Sequence, residues 1–252
     1  MDTSFVVVHI PHASTVIPEE YRRSIILGDE ALQAEVVRMT DAFCDQLYEG
    51  VGVRVQAPVS RYVCDMERFR DDADEPCAAK GQGLMYTHTI YGVPLREYDG
   101  ALRDRILQEF YDPHHQRLTV AVDAALAKHG KCLVVDGHSF PDDIFGDEYP
   151  EGLPDFDIGT DSFHTPPGLR DALCEKLREM GFSYAVNKPY AGTLVPMKHY
   201  GKDKRVFSVM IEANRRLYQN SGEMTKNADF QRVKQACHQL VICAAKWCFE
   251  EK

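Results

Sequence analysis

A chain of 252 residues with 44% apolar and 27% charged side chains can bury a hydrophobic core, and its composition excludes a disordered chain. The formal net charge of −10 repels phosphate backbones, so nucleic acid is not an expected partner, whereas an anionic small molecule in a local basic pocket is compatible with an acidic whole. No stretch approaches the ~18–20 apolar residues of a membrane span, and the first apolar run is too short for a signal peptide; a soluble, cytoplasmic protein is expected, with no membrane partner. Cys44, Cys64, Cys77, Cys132, Cys174, Cys237, Cys243 and Cys248 form no Cys-x-x-Cys pair. They read as reduced, mostly buried thiols rather than a thiolate metal site.

In chain order, Phe5 to Ile10 reads as a buried strand stopped by Pro11. Residues 30 to 49 carry helical spacing in Leu32, Val36, Val37, Met39, Phe43 and Leu47, ended by Gly50 and Gly52. Val51 to Ala57 reads as a second strand, and residues 71 to 98 as a long polar loop. Leu102 to Leu126 is helical in pattern and expected to break near Pro113. Cys132 to Val135 is a short strand that ends in Asp136-Gly137-His138-Ser139. Residues 141 to 169, rich in proline and glycine, read as a second long loop; both long loops are expected to act as lids over a site. Leu169 to Met180 is a helix closed by Gly181, Tyr184 to Asn187 a strand end, Val206 to Ile211 a strand ending in Glu212, and Ala228 to Phe249 a final amphipathic helix. Alternating strands and helices predict an α/β fold: one domain over residues 1–252, with a mainly parallel or mixed central sheet and helices on both faces.

Three predicted strands end in reactive residues: His12, then Asp136 and His138, then Glu212. Ligands of open α/β sheets bind beyond the carboxyl ends of the strands. His12 alone reads more readily as a hydrogen-bonded loop residue than as a ligand. Gly137 allows a sharp turn beside His138, and Asp136 is placed to orient an imidazole. Glu212 interrupts an apolar run, where a carboxylate needs either a basic partner, Arg215 or Arg216, or a chemical role. Two imidazoles and one carboxylate leave a zinc position open for water, and a nearby glutamate can take its proton.

Seven segments, in order, carry a resemblance: HIPHAS at 9–14, SRYVCDMER at 60–68, FYDPHHQRL at 110–118, VVDGHSFP at 134–141, PDFDIGT at 154–160, VNKPYAGT at 186–193 and VMIEANRRLY at 209–218. With them the chain resembles the N-formylglutamate amidohydrolase family. That resemblance implies a zinc exopeptidase-like (phosphorylase/hydrolase-like) fold akin to zinc carboxypeptidases and aspartoacylases. It also implies hydrolysis of N-formyl-L-glutamate, or a similar N-acyl amino acid, to formate and the free amino acid, late in histidine breakdown.

The resemblance makes His12 and His138 zinc ligands and Glu212 the general base. Arg68 matches the arginine of the aspartoacylase Asp-Leu-Asn-Arg motif and is expected over a substrate carboxylate. Arg61 and Arg215 are further candidates for the anionic end or the scissile carbonyl; Asn187 and Tyr190 are expected to shape the pocket, and His115 to reach it. Thr15 stands where aspartoacylases carry a ligating glutamate, so the third ligand is expected from Asp41, with Asp65 as second choice. Glu67 stands in place of the motif's asparagine, beside Arg68. One Zn²⁺ per chain is expected, with Mn²⁺, Co²⁺ or Fe²⁺ as other occupants of a His₂-carboxylate site. Two further readings stay open, a carboxypeptidase-like or peptidoglycan-fragment amidase and a non-catalytic small-molecule-binding module; a homo-oligomer contact on the last helix is a further option.

Overall fold

Val6–Ile10 forms β1, every residue of it buried. A strand buried on both faces belongs inside a parallel sheet, and β1 pairs in parallel with β3, Cys132–Phe140, which is itself buried throughout. The computed structural model describes residues 2–142 and 152–250. These residues group into two compact units: Met1–Ile10, Phe43–Val55 and Leu118–Lys252 in one, Pro11–Ala42 and Gln56–Arg117 in the other. The helices are α1 (Glu19–Arg22), α2 (Asp29–Met39), α3 (Cys44–Leu47), α4 (Gly100–Ile106), α5 (Asp112–His129), α6 (Pro167–Glu179) and α7 (Phe230–Glu250).

The first unit is built on a six-stranded mixed sheet flanked by helices, ordered β2 (Val53–Gln56), β1, β3, β6 (Val206–Asn214), β4 (Phe156–Gly159), β5 (Tyr184–Val186). β3 and β6 run parallel, whereas β4 is antiparallel to β6 and parallel to β5. α7 buries Phe230, Val233, Leu240 and Val241, and each large apolar side chain buried this way stabilises by about 1.5–3 kcal/mol. Gly137 is required by close packing: a Cβ there would lie 2.7 Å from the Tyr48 ring and 2.8 Å from Ile10 Cδ1.

The second unit has its own apolar clusters. Tyr21, Val63, Cys64, Met66, Leu84, Leu102, Ile106 and Tyr111 belong to one, and Ile25, Leu32, Val36, Tyr62, Tyr86 and Leu95 to the other.

Several boundaries differ from the sequence expectation, each for a physical reason. The helix expected over 30–49 is two: α2 stops at Met39, Thr40 is extended, and Phe43 takes a left-handed φ of 65° before α3. Asp41 therefore sits in an irregular break and not on a helix. Pro113 does not break its helix. A π turn at Leu107–Tyr111, with the Asp112 N–H on the Leu107 carbonyl, absorbs the misfit just ahead of it. β3 and β6 run past their expected ends, so Asp136, His138 and Glu212 lie within strands. The second long loop contains β4 and the start of α6, and the 71–98 loop holds a 3-10 turn at Pro76–Lys80. Residues 143–151 of the second expected lid lie outside the described residues. Among the described residues no helix is long and apolar enough to cross a membrane.

Candidate active site

In the first unit, β1, β3, β6 and β4 place a row of polar side chains on one face of the sheet. His9 is the neighbour of Asp136, His138 of Glu212, and Glu212 of Asp157 in the strand registers. Direct neighbours on adjacent strands share a face, and residues two apart on one strand do too. All five are buried. Asp136 Oδ1 lies 2.8 Å from His9 Nδ1 and 3.2 Å from His138 Nε2, and its Oδ2 accepts from the Leu194 N–H at 2.9 Å. Burial pushes the Asp136 carboxyl up, but the neighbouring His138 and His9 outweigh it and hold the group well below the usual carboxylate range.

Arg215 opens a 3-10 turn directly after β6. Its Nε donates to the Ser139 hydroxyl and its Nη2 to the Ser139 carbonyl, both at 3.1 Å. It thus braces the end of β3. Arg216 pairs with Asp142 and Asp155.

The 186–193 segment is held by Asp157, which accepts from the Lys188 N–H at 3.0 Å and the Tyr190 N–H at 2.8 Å. Burial pushes the Asp157 carboxyl up against the effect of these bonds. Asn187 adopts φ 56°, and its amide is spent on Thr160: Oδ1 accepts the backbone N–H at 2.9 Å and Nδ2 donates to the hydroxyl at 2.8 Å. It therefore shapes its own turn. The Tyr190 ring lies 6.1 Å from that of Phe140.

The second unit gathers five of the residues singled out from sequence. Asp65 is at their centre, fully buried. Its Oδ1 lies 2.7 Å from His12 Nε2 and accepts the Glu67 N–H at 3.0 Å. Its Oδ2 accepts from Arg61 Nη2 at 2.8 Å and the Tyr86 hydroxyl at 2.7 Å, with Arg68 Nε 3.7 Å away. Burial alone would raise this carboxyl; Arg61, His12 and Arg68 drive it well below its usual range. Both Asp65 oxygens are thus engaged by His12, the Glu67 N–H, Arg61 and Tyr86. Asp41 Oδ2 is 3.7 Å from His12 Nδ1, both residues are buried, and the Asp41 N–H donates to the His12 carbonyl at 3.0 Å.

His115 lies against the 66–68 backbone. Its Nε2 is 3.0 Å from the Met66 carbonyl, and Tyr111, one helical turn earlier, donates its hydroxyl to the Arg68 carbonyl at 2.7 Å. Together they fasten the 66–68 backbone. Sequence reasoning gave no role to His9, Asp157 or Tyr86. His9 and Asp157 fall in quoted motifs and alternate with apolar residues, which is a signal; Tyr86 in a long loop offers none.

This arrangement can be set beside known proteins. The model of the N-formylglutamate amidohydrolase family matches residues 4–219. The chain belongs to that family. It is 28% identical over 229 residues to an N-formylglutamate deformylase of Pseudomonas putida, covering 86% of this chain and 82% of that protein. The fold is similar to the crystal structure of an N-formylglutamate amidohydrolase from Ralstonia eutropha JMP134, with a TM-score of 0.87, 24% identity, and coverage of 100% of this chain and 96% of that one. A gene product of Agrobacterium tumefaciens is similar in fold too, with a TM-score of 0.71, 24% identity, and coverage of 98% and 92%.

Proposed function

We propose that this amidohydrolase family member cleaves the amide bond of N-formyl-L-glutamate, or of a closely similar N-acyl amino acid, with one divalent metal ion held by His12, Asp41 and His138. The observation that carries the reading is a repeated histidine–aspartate pair. His12 Nε2 is hydrogen-bonded to buried Asp65 at 2.7 Å, and His138 Nε2 lies 3.2 Å from buried Asp136 in an ion-pair contact. A carboxylate behind the far nitrogen fixes the tautomer of a metal-ligating histidine and raises its basicity. The spacing within one half of the set fits as well. His12 Nδ1 and Asp41 Oδ2 are 3.7 Å apart, against roughly 3.4 Å for the edge of a tetrahedron with bonds of about 2.1 Å. Such donors suit Zn²⁺ and also accept Mn²⁺, Co²⁺ or Fe²⁺. When bound, the ion supplies Lewis acidity to the scissile amide.

The chain's own groups supply the rest. Glu212, the register neighbour of His138, takes a proton from the attacking water and delivers it to the amine nitrogen as the C–N bond breaks, giving formate and glutamate. Arg68 and Arg61, both tied to Asp65, provide the cations for the substrate carboxylate.

Elemental analysis of metal per chain, paired with formate release from N-formyl-L-glutamate, tests the reading. Glu212→Gln is expected to keep its metal and lose about 10²–10⁴-fold in turnover; near-normal turnover would remove Glu212 from the mechanism. Glu67 favours checking the acyl group and side chain as well, because a carboxylate beside Arg68 weakens its attraction for an anion. A panel of formyl, acetyl and peptidyl amino acids separates formylglutamate from a related amide. Neither metal nor turnover after zinc is restored would favour a non-catalytic binding module.

A further inference from the structure

The two arginines that face the substrate in this reading repel each other, and both are largely buried, with 12% and 21% of their side chains exposed. What holds them in a fixed relation is a single phenol. The Tyr86 hydroxyl accepts from Arg61 Nη2 at 3.0 Å and from Arg68 Nη2 at 3.2 Å, and donates to Asp65 Oδ2 at 2.7 Å. A hydroxyl has one proton and two lone pairs; all three are committed here. Burial pushes the Tyr86 phenol up, so it stays a neutral donor towards Asp65 while its lone pairs serve the cations.

The ring is fixed as firmly as the oxygen. It is fully buried and packs edge-on to Tyr62 at 5.8 Å, with an interplanar angle of 87°. The Tyr62 hydroxyl itself donates to Glu35 at 2.6 Å, and the ring contact does not depend on it. The Nε donors of the pair differ. Arg68 Nε is spent on the Gln82 carbonyl at 3.0 Å. The Nε of Arg61, by contrast, is buried and has no hydrogen-bond partner among the described residues. A buried donor without an acceptor is costly, so the Arg61 head depends on its Nη2 bonds to Asp65 and Tyr86 to hold its place.

We infer that Tyr86 is a positioning residue: it touches no substrate atom, but sets the separation and tilt of Arg61 and Arg68 and thereby the affinity for the anionic amino-acid half of the substrate. This rests on the hydrolase reading above. Asp65 alone cannot do the same work. Its Oδ2 takes a direct hydrogen bond from Arg61, but Arg68 Nε is 3.7 Å away, beyond a good hydrogen bond. Without the phenol, Arg68 keeps, among the described residues, the Gln82 carbonyl bond and a long ion pair with Asp65, and can swing about the Gln82 contact.

The test is Tyr86→Phe, which keeps the ring and removes the oxygen, beside Tyr62→Phe, which removes an equally buried hydroxyl one ring further from the arginines. Steady-state kinetics with N-formyl-L-glutamate, calorimetric binding of L-glutamate, metal content and thermal melting are read on each. Loss of hydrogen bonds to charged groups predicts that Tyr86→Phe raises KM and the glutamate Kd by about 10-fold or more. The change in kcat is expected to be smaller and the metal content unchanged. Tyr62→Phe is expected to melt earlier yet keep KM and Kd. Placing 3-fluorotyrosine at position 86 covers the case in which Tyr86→Phe does not fold: it keeps the shape and weakens the oxygen as an acceptor, so KM should rise in the same direction. KM and Kd within twofold of the wild type in the Phe or fluorotyrosine protein would overturn the inference, as would an equal loss in Tyr62→Phe. A wild-type protein that holds metal but releases no formate and binds no glutamate would sink the hydrolase reading itself, a result distinct from an active wild type with an indifferent variant.

Discussion

Replacing Gly137 by alanine places one methyl group between two elements that cannot both step aside. Gly137 lies between Asp136 and His138 on β3, but its α-carbon faces the opposite side of the sheet. The new Cβ would sit 2.7 and 3.0 Å from two carbons of the Tyr48 ring and 2.8 Å from Ile10 Cδ1. Carbon atoms rest at about 3.5–4.0 Å, so roughly 1 Å of movement is required. Ile10 can yield by rotating its terminal methyl. Tyr48 cannot yield easily, because it is buried and its hydroxyl donates to the Ile211 carbonyl at 3.3 Å.

Overpacking of this kind costs about 1–3 kcal/mol. Stiffening of the unfolded chain by alanine returns about 0.4–1 kcal/mol. The net expectation is a protein less stable by about 1–2 kcal/mol, seen as a melting temperature lower by about 2–8 °C. Ile10→Val deletes the offending Cδ1. By itself it costs about 0.5–1.5 kcal/mol; in the Gly137→Ala background it should cost less or nothing, giving a favourable coupling in a double-mutant cycle. An alanine variant as stable as the wild type, or a cycle with no coupling, would refute the packing account of this glycine.

Two other perturbations are informative. Asp157→Ala removes the acceptor of the Lys188 and Tyr190 N–H groups; a stability loss of about 1–3 kcal/mol is expected, with faster amide exchange at exactly those two residues, and unchanged exchange there would contradict the anchoring role. Asp155 is held below its usual range because bonds from Ser183 and Arg216 outweigh its partial burial. Its folded pKa is therefore lower than the unfolded value of about 3.9, so its stabilisation is complete above that pH and fades as pH falls through the folded value. Urea unfolding of the wild type and Asp155→Asn should show a gap near pH 6 that narrows below about pH 4; a gap that widens in acid would reverse the sign of the account.

The sequence was most legible where burial is continuous. The apolar runs of β1, β3 and β6 announce themselves as strands, and His12, Asp136, His138 and Glu212 stand out because they follow or interrupt such runs. What was lost was the far end of each run. A polar residue looks like a stop, yet Asp136, His138 and Glu212 remain in extended backbone because every second side chain faces the same polar row. β4 was hidden by its length, four residues of Phe-Asp-Ile-Gly among prolines and glycines. The break at Asp41 depends on a left-handed Phe43, a conformation that no local pattern demands. Tyr86 is beyond local reading altogether. Its role comes from side chains 18 to 25 positions away in the chain, and only the folded second unit brings them to one oxygen.

The π turn at Leu107–Tyr111 adds one residue to the winding of an otherwise continuous helical stretch. One residue is about 100° of rotation. Removing a single residue there would leave a smoother helix, but one whose two halves are out of phase. If Tyr111 and His115 kept their hold on the 66–68 backbone, Leu102 and Ile106 would turn away from the apolar cluster they share with Tyr21 and Leu84. The irregularity thus works as a spacer in angle, and a deletion that raises local helix quality should lower the stability of the whole unit.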